Sequence, residues 1–160
     1  MRKPFILVVD DNKITTKLLR RYLEANGFEA KEAYDGVDCL EKVEERHPDA
    51  IVLDVMMPRM DGYETVKRLK ENPATANIPV VIVTALNDVA NQLKSIEAGS
   101  DDFLSKPIEE KLLIAKVKLL SNLCIESIKA RVYKEITEKL ISGAITNADV
   151  AQILADNQID

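Results

Sequence analysis

The sequence has little of what a disulfide-bonded or membrane-anchored protein contains. Only two cysteines occur among 160 residues. Cys39 and Cys124 lie far apart on apolar helical patterns without CxxC spacing, which indicates small core residues rather than metal ligands or a disulfide. The apolar run at residues 5–9 stops at two aspartates and is too short for a signal peptide or a membrane span. These features predict a cytoplasmic protein that does not contact membranes.

Basic residues are fewer than acidic residues in this sequence. The chain carries 22 Lys and Arg against 27 Asp and Glu, which gives a net charge of −5 and a pI near 5.1. This balance disfavours a general nucleic-acid-binding surface, and the sequence shows no local basic patch. The segment 122–160 is too short for a winged-helix domain and holds more acids than bases. We therefore expect no direct binding to nucleic acid.

What the chain does contain is a regular alternation of apolar runs and helical patterns. At 46% hydrophobic and 31% charged residues, it can form one domain with an appendage. Five strands are predicted, near residues 5–9, 29–33, 50–54, 79–84 and 102–105, and a helix follows each of them, the last starting near Glu109. Right-handed crossovers then give a five-stranded parallel sheet with helices on both faces, an α/β fold.

The stretch around Asp54 is the most informative part of the chain. Apolar residues lead directly into this carboxylate, and the following loop contains Pro58 and then Asp61-Gly62, which is typical of a helix cap. The pattern predicts a buried strand that places one acid at the carboxyl end of a parallel sheet. Open α/β folds bind their ligands at that edge.

Polar side chains follow four of the five predicted strands. They are Asp10 and Asp11 after the first, Asp54 at the third, Thr84 at the fourth and Lys106 after the fifth. Taken singly, each has an ordinary structural explanation as a cap, a strand end or a turn. Together they would place three mutually repelling carboxylates in one pocket, which favours a bound cation such as Mg²⁺. A nucleophilic aspartate beside a metal, a lysine and a hydroxyl is suited to forming an acyl phosphate.

Several motifs resemble the receiver domain of two-component response regulators. They fall in family order and at family spacing over roughly residues 3–121: VVDD at 8–11, LDVMMPRMDG at 53–62, VTA at 83–85, GSDDF at 99–103 and KP at 106–107. The resemblance implies a flavodoxin-like strand order 2-1-3-4-5 and a cis peptide before Pro107. It also implies a regulatory phosphoryl acceptor in a phosphorelay rather than an enzyme, with a sensor histidine kinase or a histidine phosphotransfer protein as its partner.

The same resemblance assigns roles to individual residues. Asp54 corresponds to the phospho-acceptor, and Asp11, Asp54 and the Met56 carbonyl correspond to Mg²⁺ ligands, with Asp10 holding metal-bound water. Lys106 corresponds to the lysine that pairs with the phosphoryl group. Thr84 and Phe103 correspond to the switch pair. Phe103 replaces the tyrosine often found there, so its outward position is expected to be held by packing alone.

Met56 and Leu86 are apolar and cannot orient a water molecule, which predicts slow loss of the phosphoryl group.

The segment 122–160 lies beyond the resemblance and is expected to form a helical extension of the 1–121 receiver domain. Apolar residues recur at helical spacing at Val117, Leu120, Cys124, Ile128, Val132, Ile136 and Leu140. Gly143 interrupts the pattern, and Thr146 to Asp149 resembles a capping box before a short helix, which predicts a helical hairpin. The part of this stripe beyond the receiver is predicted to lack a partner within the domain, so that a second copy or an effector covers it. Folding back on the domain, or a linker to an effector, are alternatives.

The output is expected to use the face formed by the fourth helix, the fifth strand and the fifth helix. The fourth helix is predicted to begin at Asn87-Asp88 and to carry Val89, Leu93 and Ile96 as its apolar stripe.

Three other functions fit parts of the pattern. A haloacid dehalogenase-type phosphoaspartate hydrolase would carry Asp-x-Asp after the first strand, whereas the acids here are adjacent. A receiver that has lost its chemistry is disfavoured because no site residue is missing. The third alternative is that the chain is a receiver fragment of a larger effector protein, and the sequence does not exclude it.

Overall fold

Five parallel strands form a single sheet at the centre of the molecule. The computed structural model describes residues 2–85 and 89–159. The strands are β1 (Phe5–Val9), β2 (Glu29–Ala33), β3 (Ala50–Asp54), β4 (Val80–Thr84) and β5 (Asp102–Ser105). Their order across the sheet is β2-β1-β3-β4-β5, with every pair parallel. The flavodoxin-like fold and its strand order are therefore confirmed.

Helices follow the strands and continue beyond the sheet. They are α1 (Lys13–Ala25), α2 (Gly36–Glu45), α3 (Gly62–Glu71), α4 (Val89–Ala98), α5 (Glu110–Ile141) and α6 (Asn147–Asp156). Within the described residues, none of these helices has the length and apolar character needed to cross a membrane. The predicted start of α4 at Asn87-Asp88 lies outside the described residues, as does Leu86.

The sheet is buried on both faces because alternate strand residues point in opposite directions. Ile6 and Val8 pack on one side with residues of α1 and α5, including Leu23 and Leu113. Leu7 and Val9 pack on the other side with residues of α2 and α3. The three central strands, β1, β3 and β4, are therefore buried along their whole length. Because all strands are parallel, their carboxyl ends meet at one edge.

Two helices leave apolar side chains exposed. In α1, Ile14 is 81% exposed. In α4 the expected stripe of Val89, Leu93 and Ile96 is exposed, and the buried residue of this helix is Ser95. The reason is that α4 packs against α3 and β5 and covers little of the sheet. Helical spacing identified an apolar face, but not whether the fold would cover it.

The extension folds back on α5 as the expected helical hairpin, and this corrects the prediction of an unpartnered stripe. Gly143, at φ +73°, turns the chain after α5, and the Asp149 carboxylate accepts the Thr146 backbone N–H at 2.7 Å where α6 begins. Val132 and Ile136 of α5 are buried in a cluster with Ile159 and residues of α6. The hairpin forms because α6 supplies, within the chain, the apolar partner that this part of α5 needs.

Candidate functional site

Three carboxylates meet at the carboxyl edge of the sheet. Asp10 and Asp11 follow β1, and Asp54 is the last residue of the neighbouring strand β3. Each contributes one oxygen to a group whose members all lie within 4.8 Å of one another. Asp10 and Asp54 are buried, whereas Asp11 is exposed. Clustered carboxylate oxygens that are open to solvent on one side fit a hard divalent cation such as Mg²⁺.

The side chain of Lys106 places a positive charge beside these carboxylates. Its Nζ lies 3.0 Å from Oδ1 of Asp54 and 3.5 Å from Oδ2 of Asp10. The backbone positions it, because the Lys106 N–H donates to the Thr84 carbonyl at 2.9 Å. The peptide bond to Pro107 is cis, as expected. The fifth strand therefore delivers its lysine to the acids of the first and third.

The loop after Asp54 is anchored to the strand end by backbone contacts. The Gly62 N–H donates to the Val55 carbonyl at 2.8 Å, and the Asp61 side chain caps α3 by accepting the Glu64 N–H at 2.8 Å. A Cβ atom on Gly62 would lie 2.4 Å from the Asp54 carbonyl oxygen. Glycine is required here because the start of α3 passes so close to the backbone of Asp54.

Asn12 is a supporting residue that the sequence reasoning missed. Its side chain caps α1 by accepting the backbone N–H groups of Ile14 and Thr15 at 2.9 and 3.3 Å. Its own N–H donates to Oδ1 of Asp10 at 2.9 Å. Asn12 thus takes the capping role that an acid pair after a strand often performs, so Asp10 and Asp11 are left for the cluster. An asparagine directly before a helical pattern was the available sign.

Burial and mutual repulsion shift the ionisation of the buried groups. Desolvation raises the pKa of Asp54, and the charge of Asp10 raises it further, against the hydrogen bond from Lys106. Desolvation likewise raises the pKa of Asp10, against the Asn12 N–H and the Lys106 charge. Burial lowers the pKa of Lys106, but its hydrogen bond to Asp54 and the charges of both aspartates outweigh this and raise it overall. The site therefore holds more negative charge than its lysine neutralises.

Thr84 and Phe103 lie on adjacent strands, and Phe103 pairs with Ile82, two residues before Thr84. Thr84 is the buried last residue of β4, and Phe103, on β5, is half-buried. The ammonium of Lys116 stands 5.3 Å from the centre of the Phe103 ring and also donates to the Phe103 carbonyl at 2.9 Å. The ring is therefore held by a cation–π contact from α5 in addition to packing, which the sequence did not indicate.

The raised pKa of Asp10 gives a testable prediction about stability. The folded protein holds a proton on Asp10 more tightly than the unfolded chain, so the charged carboxylate destabilises the fold above the unfolded-state pKa. We expect Asp10→Asn to raise the free energy of unfolding at pH 7 by about 1 kcal/mol in metal-free buffer, with the gain shrinking as the pH falls towards about 4. Urea unfolding at several pH values measures this. A variant less stable at pH 7, or a gain that grows on acidification, would contradict it.

Comparison with known proteins places the chain in a family. A family model described as the response regulator receiver domain matches residues 6–118. The chain belongs to the response regulator receiver family. It is 39% identical over 146 residues to the response regulator PleD of Caulobacter vibrioides, covering 90% of this chain and 32% of PleD. It is 41% identical over 115 residues to the response regulator MprA of Mycobacterium ulcerans, covering 72% of this chain and 49% of MprA.

Solved receiver structures share the fold. The receiver domain of the Francisella response regulator 1452 superimposes with a TM-score of 0.71 at 35% identity, covering 75% of this chain and 98% of that one. The chemotaxis protein CheY4 of Vibrio cholerae gives a TM-score of 0.70 at 25% identity, covering 74% and 98%. The chain spans about a third to a half of the length of the curated relatives it matches. The match to PleD, at 146 residues, extends beyond the segment 6–118 that the receiver model covers.

Proposed function

We propose that this receiver domain accepts a phosphoryl group on Asp54 and relays the signal through a conformational change. One observation carries the proposal: the buried Asp54 carboxylate lies 3.0 Å from the Lys106 ammonium, with oxygens of Asp10 and Asp11 within 4.8 Å. A carboxylate that sits beside a fixed cation and two further acids is poised to act as a nucleophile towards a phosphoryl group bound with a divalent ion.

The proposed reaction is a transfer from phosphohistidine of a kinase or a phosphotransfer protein. An Asp54 oxygen attacks phosphorus, the bond from phosphorus to the imidazole nitrogen breaks, and the electron pair of that bond stays on the histidine ring. Lys106 pairs with the arriving phosphoryl oxygens. Asp11, Asp54 and the Met56 carbonyl would hold Mg²⁺, with Asp10 binding metal-bound water, and the ion supplies charge neutralisation for those oxygens.

The proposed switch connects this chemistry to the output face. A phosphoryl group on Asp54 would offer new acceptor oxygens to the Thr84 hydroxyl, and movement of Thr84 would let Phe103 turn inward. That movement would break the contact between Phe103 and Lys116 of α5. The exposed apolar residues of α4, Val89, Leu93 and Ile96, adjoin this region and offer a surface to a second copy or an effector.

Exposed apolar side chains around the acidic cluster suit a helical phosphodonor. Ile14 lies in the first turn of α1, one turn before Leu18, and both are exposed. Met56, two residues after Asp54, is 78% exposed. Ile14 follows Asp11 by three residues and Met56 follows Asp54 by two, and we propose that these exposed side chains contact the kinase or phosphotransfer protein. Contacts here would bring the donor histidine to Asp54.

The direct test is phosphorylation by a small donor. The protein is incubated with acetyl phosphate, with Mg²⁺ or with a chelator, and intact mass is measured. We expect the mass of one phosphoryl group to be added only with Mg²⁺, and to be lost on treatment with hydroxylamine, which cleaves acyl phosphates. Labelling that persists in the chelator, or that resists hydroxylamine, would overturn the proposal.

The lifetime of the phosphoryl group is expected to depend on Met56. Its side chain is apolar and exposed next to Asp54, so it cannot orient a water molecule for attack on the acyl phosphate. We expect Met56→Asn to speed loss of the phosphoryl group by about two- to tenfold, because an amide can position that water. Loss is followed by mass after the donor is removed, with Met56→Leu as the matched apolar control. An unchanged rate in Met56→Asn, or an equal increase in Met56→Leu, would contradict this explanation.

A further inference from the structure

A cavity lies at the edge of the sheet opposite Asp54, where the extension meets the receiver domain. Its volume is about 530 Å³, within the range of small-molecule sites. One wall comes from the N-terminal segment and the turn between α1 and β2, with Arg2, Pro4 and Phe28. The other comes from α5 and the end of the chain, with Ile125 and Gln158. We call it the tail cavity.

The wall formed by the extension is fixed in place. Gln158 has φ +55°, in the left-handed region that few side chains adopt. The next residue, Ile159, is buried in the cluster with Val132 and Ile136, and its N–H donates to the Leu154 carbonyl at 2.9 Å. The Gln158 N–H also donates to the Ala155 carbonyl at 3.0 Å, so the two residues end α6 in a Schellman motif, in which a left-handed residue is common. These two hydrogen bonds and the burial of Ile159 fix this wall of the tail cavity.

The stripe of α5 that faces the tail cavity has an unusual composition. Lys118, Asn122, Ile125 and Lys129 recur at helical spacing and all line it. Cations thus stand at the two ends of the stripe, with an amide and an aliphatic side chain between them. The stripe begins at Lys118, within the receiver domain, and continues to Lys129 in the extension, so both parts of α5 contribute to the same cavity wall.

The charge of the tail cavity is opposite to that of the protein. Arg2, Lys118 and Lys129 line it with a single carboxylate, Glu126, whereas the whole chain carries −5. Two of the three cations already have partners. The Lys129 ammonium donates to Glu126 at 3.4 Å, and Arg2 forms a bidentate pair with Asp49. The Lys118 side chain makes no ion pair or hydrogen bond within residues 2–85 and 89–159. An ammonium beside an apolar wall is thus available to a ligand.

From this arrangement we infer that the tail cavity binds an amphipathic organic anion. Its apolar body packs between Phe28 and Ile125, and its carboxylate, sulfonate or phosphate group pairs with Lys118. The side-chain amides of Asn122 and Gln158 offer further donors. Because the ligand touches both the receiver domain and the extension, its binding strengthens their association. The site is separate from the acidic cluster, so it does not depend on the function proposed for Asp54.

Binding is tested with the full-length chain and a fluorescent anion, 1-anilinonaphthalene-8-sulfonate. Decanoate and decyltrimethylammonium, which have alkyl chains of nearly equal length and opposite charges, serve as competitors. We expect saturable binding of one dye molecule per chain, displacement by decanoate and no displacement by decyltrimethylammonium at the same concentration. Equal displacement by both, or binding that does not saturate, would overturn the inference, because the cavity would then show no preference for anions.

Three variants test whether the dye and decanoate bind in the tail cavity. Lys118→Glu should weaken dye and decanoate binding at least about tenfold, since it removes the paired charge and adds a repulsive one. Asn122→Trp should weaken it similarly by filling the cavity. Lys111→Glu, an exposed lysine on the same helix outside the cavity, should change affinity less than about twofold. Circular dichroism of each variant verifies the fold. Unchanged binding in folded Lys118→Glu and Asn122→Trp, or an equal loss in Lys111→Glu, would refute the site.

Discussion

Replacing Asp54 with asparagine is expected to abolish phosphoryl uptake, lowering its rate by at least about a thousandfold. The amide oxygen is a poor nucleophile, and the variant also loses one of the three clustered carboxylates. Lys106, whose Nζ lies 3.0 Å from the Asp54 carboxylate, would lose this charge partner and keep its pairing with Asp10. The rate is measured with acetyl phosphate and Mg²⁺, and then with any histidine kinase that phosphorylates the wild-type protein, by intact mass.

Asp61→Asn is the matched control for this experiment. Asp61 lies in the same loop and caps α3, and asparagine is an equally good N-cap. The control should therefore keep its fold and its uptake, whereas Asp54→Asn keeps only its fold. If folded Asp54→Asn were labelled at the wild-type rate, the acceptor would be another residue, and the arrangement around Lys106 would need a different explanation.

Gly62→Ala is expected to destabilise the protein by about 3 kcal/mol and to slow phosphoryl uptake. The added methyl group would lie 2.4 Å from the Asp54 carbonyl oxygen. This oxygen belongs to a buried strand backbone, so the start of α3 would have to shift. The same shift displaces the loop that follows Asp54. Urea unfolding gives the free energy, and the rate with acetyl phosphate, measured where the variant stays folded, gives the effect on the site.

Gly27→Ala is the control for Gly62→Ala, because it introduces backbone strain without a close contact to another atom. Gly27 has φ +88°, and a methyl group added there would meet no atom within 4 Å, so alanine costs only the left-handed conformation, about 1 to 2 kcal/mol. Gly27 also lies far from Asp54, so uptake should not change. A Gly62→Ala variant as stable as Gly27→Ala, with normal uptake, would mean that the start of α3 does not fix the position of Asp54.

The site was largely predictable because its residues follow buried strands. A parallel sheet brings the carboxyl ends of its strands together whatever the details of packing, so the order of strands and acids predicted the grouping of Asp10, Asp54 and Lys106. The contact between Lys116 and Phe103 could not be predicted in this way. It depends on how α5 lies against β5, and helical spacing does not contain that information.

By itself, the sequence determined the alternation of strands and helices, the fold class and the acids at the sheet edge. These follow from local periodicity and from turn residues such as Pro58 and Gly62. Only the tertiary structure decided that the apolar residues of α4 stay exposed, that α6 covers Val132 and Ile136, and that Arg2 and Lys118 come to line one cavity. Such features join residues that are far apart in the chain. They depend on which apolar surfaces become buried against each other when the helices pack.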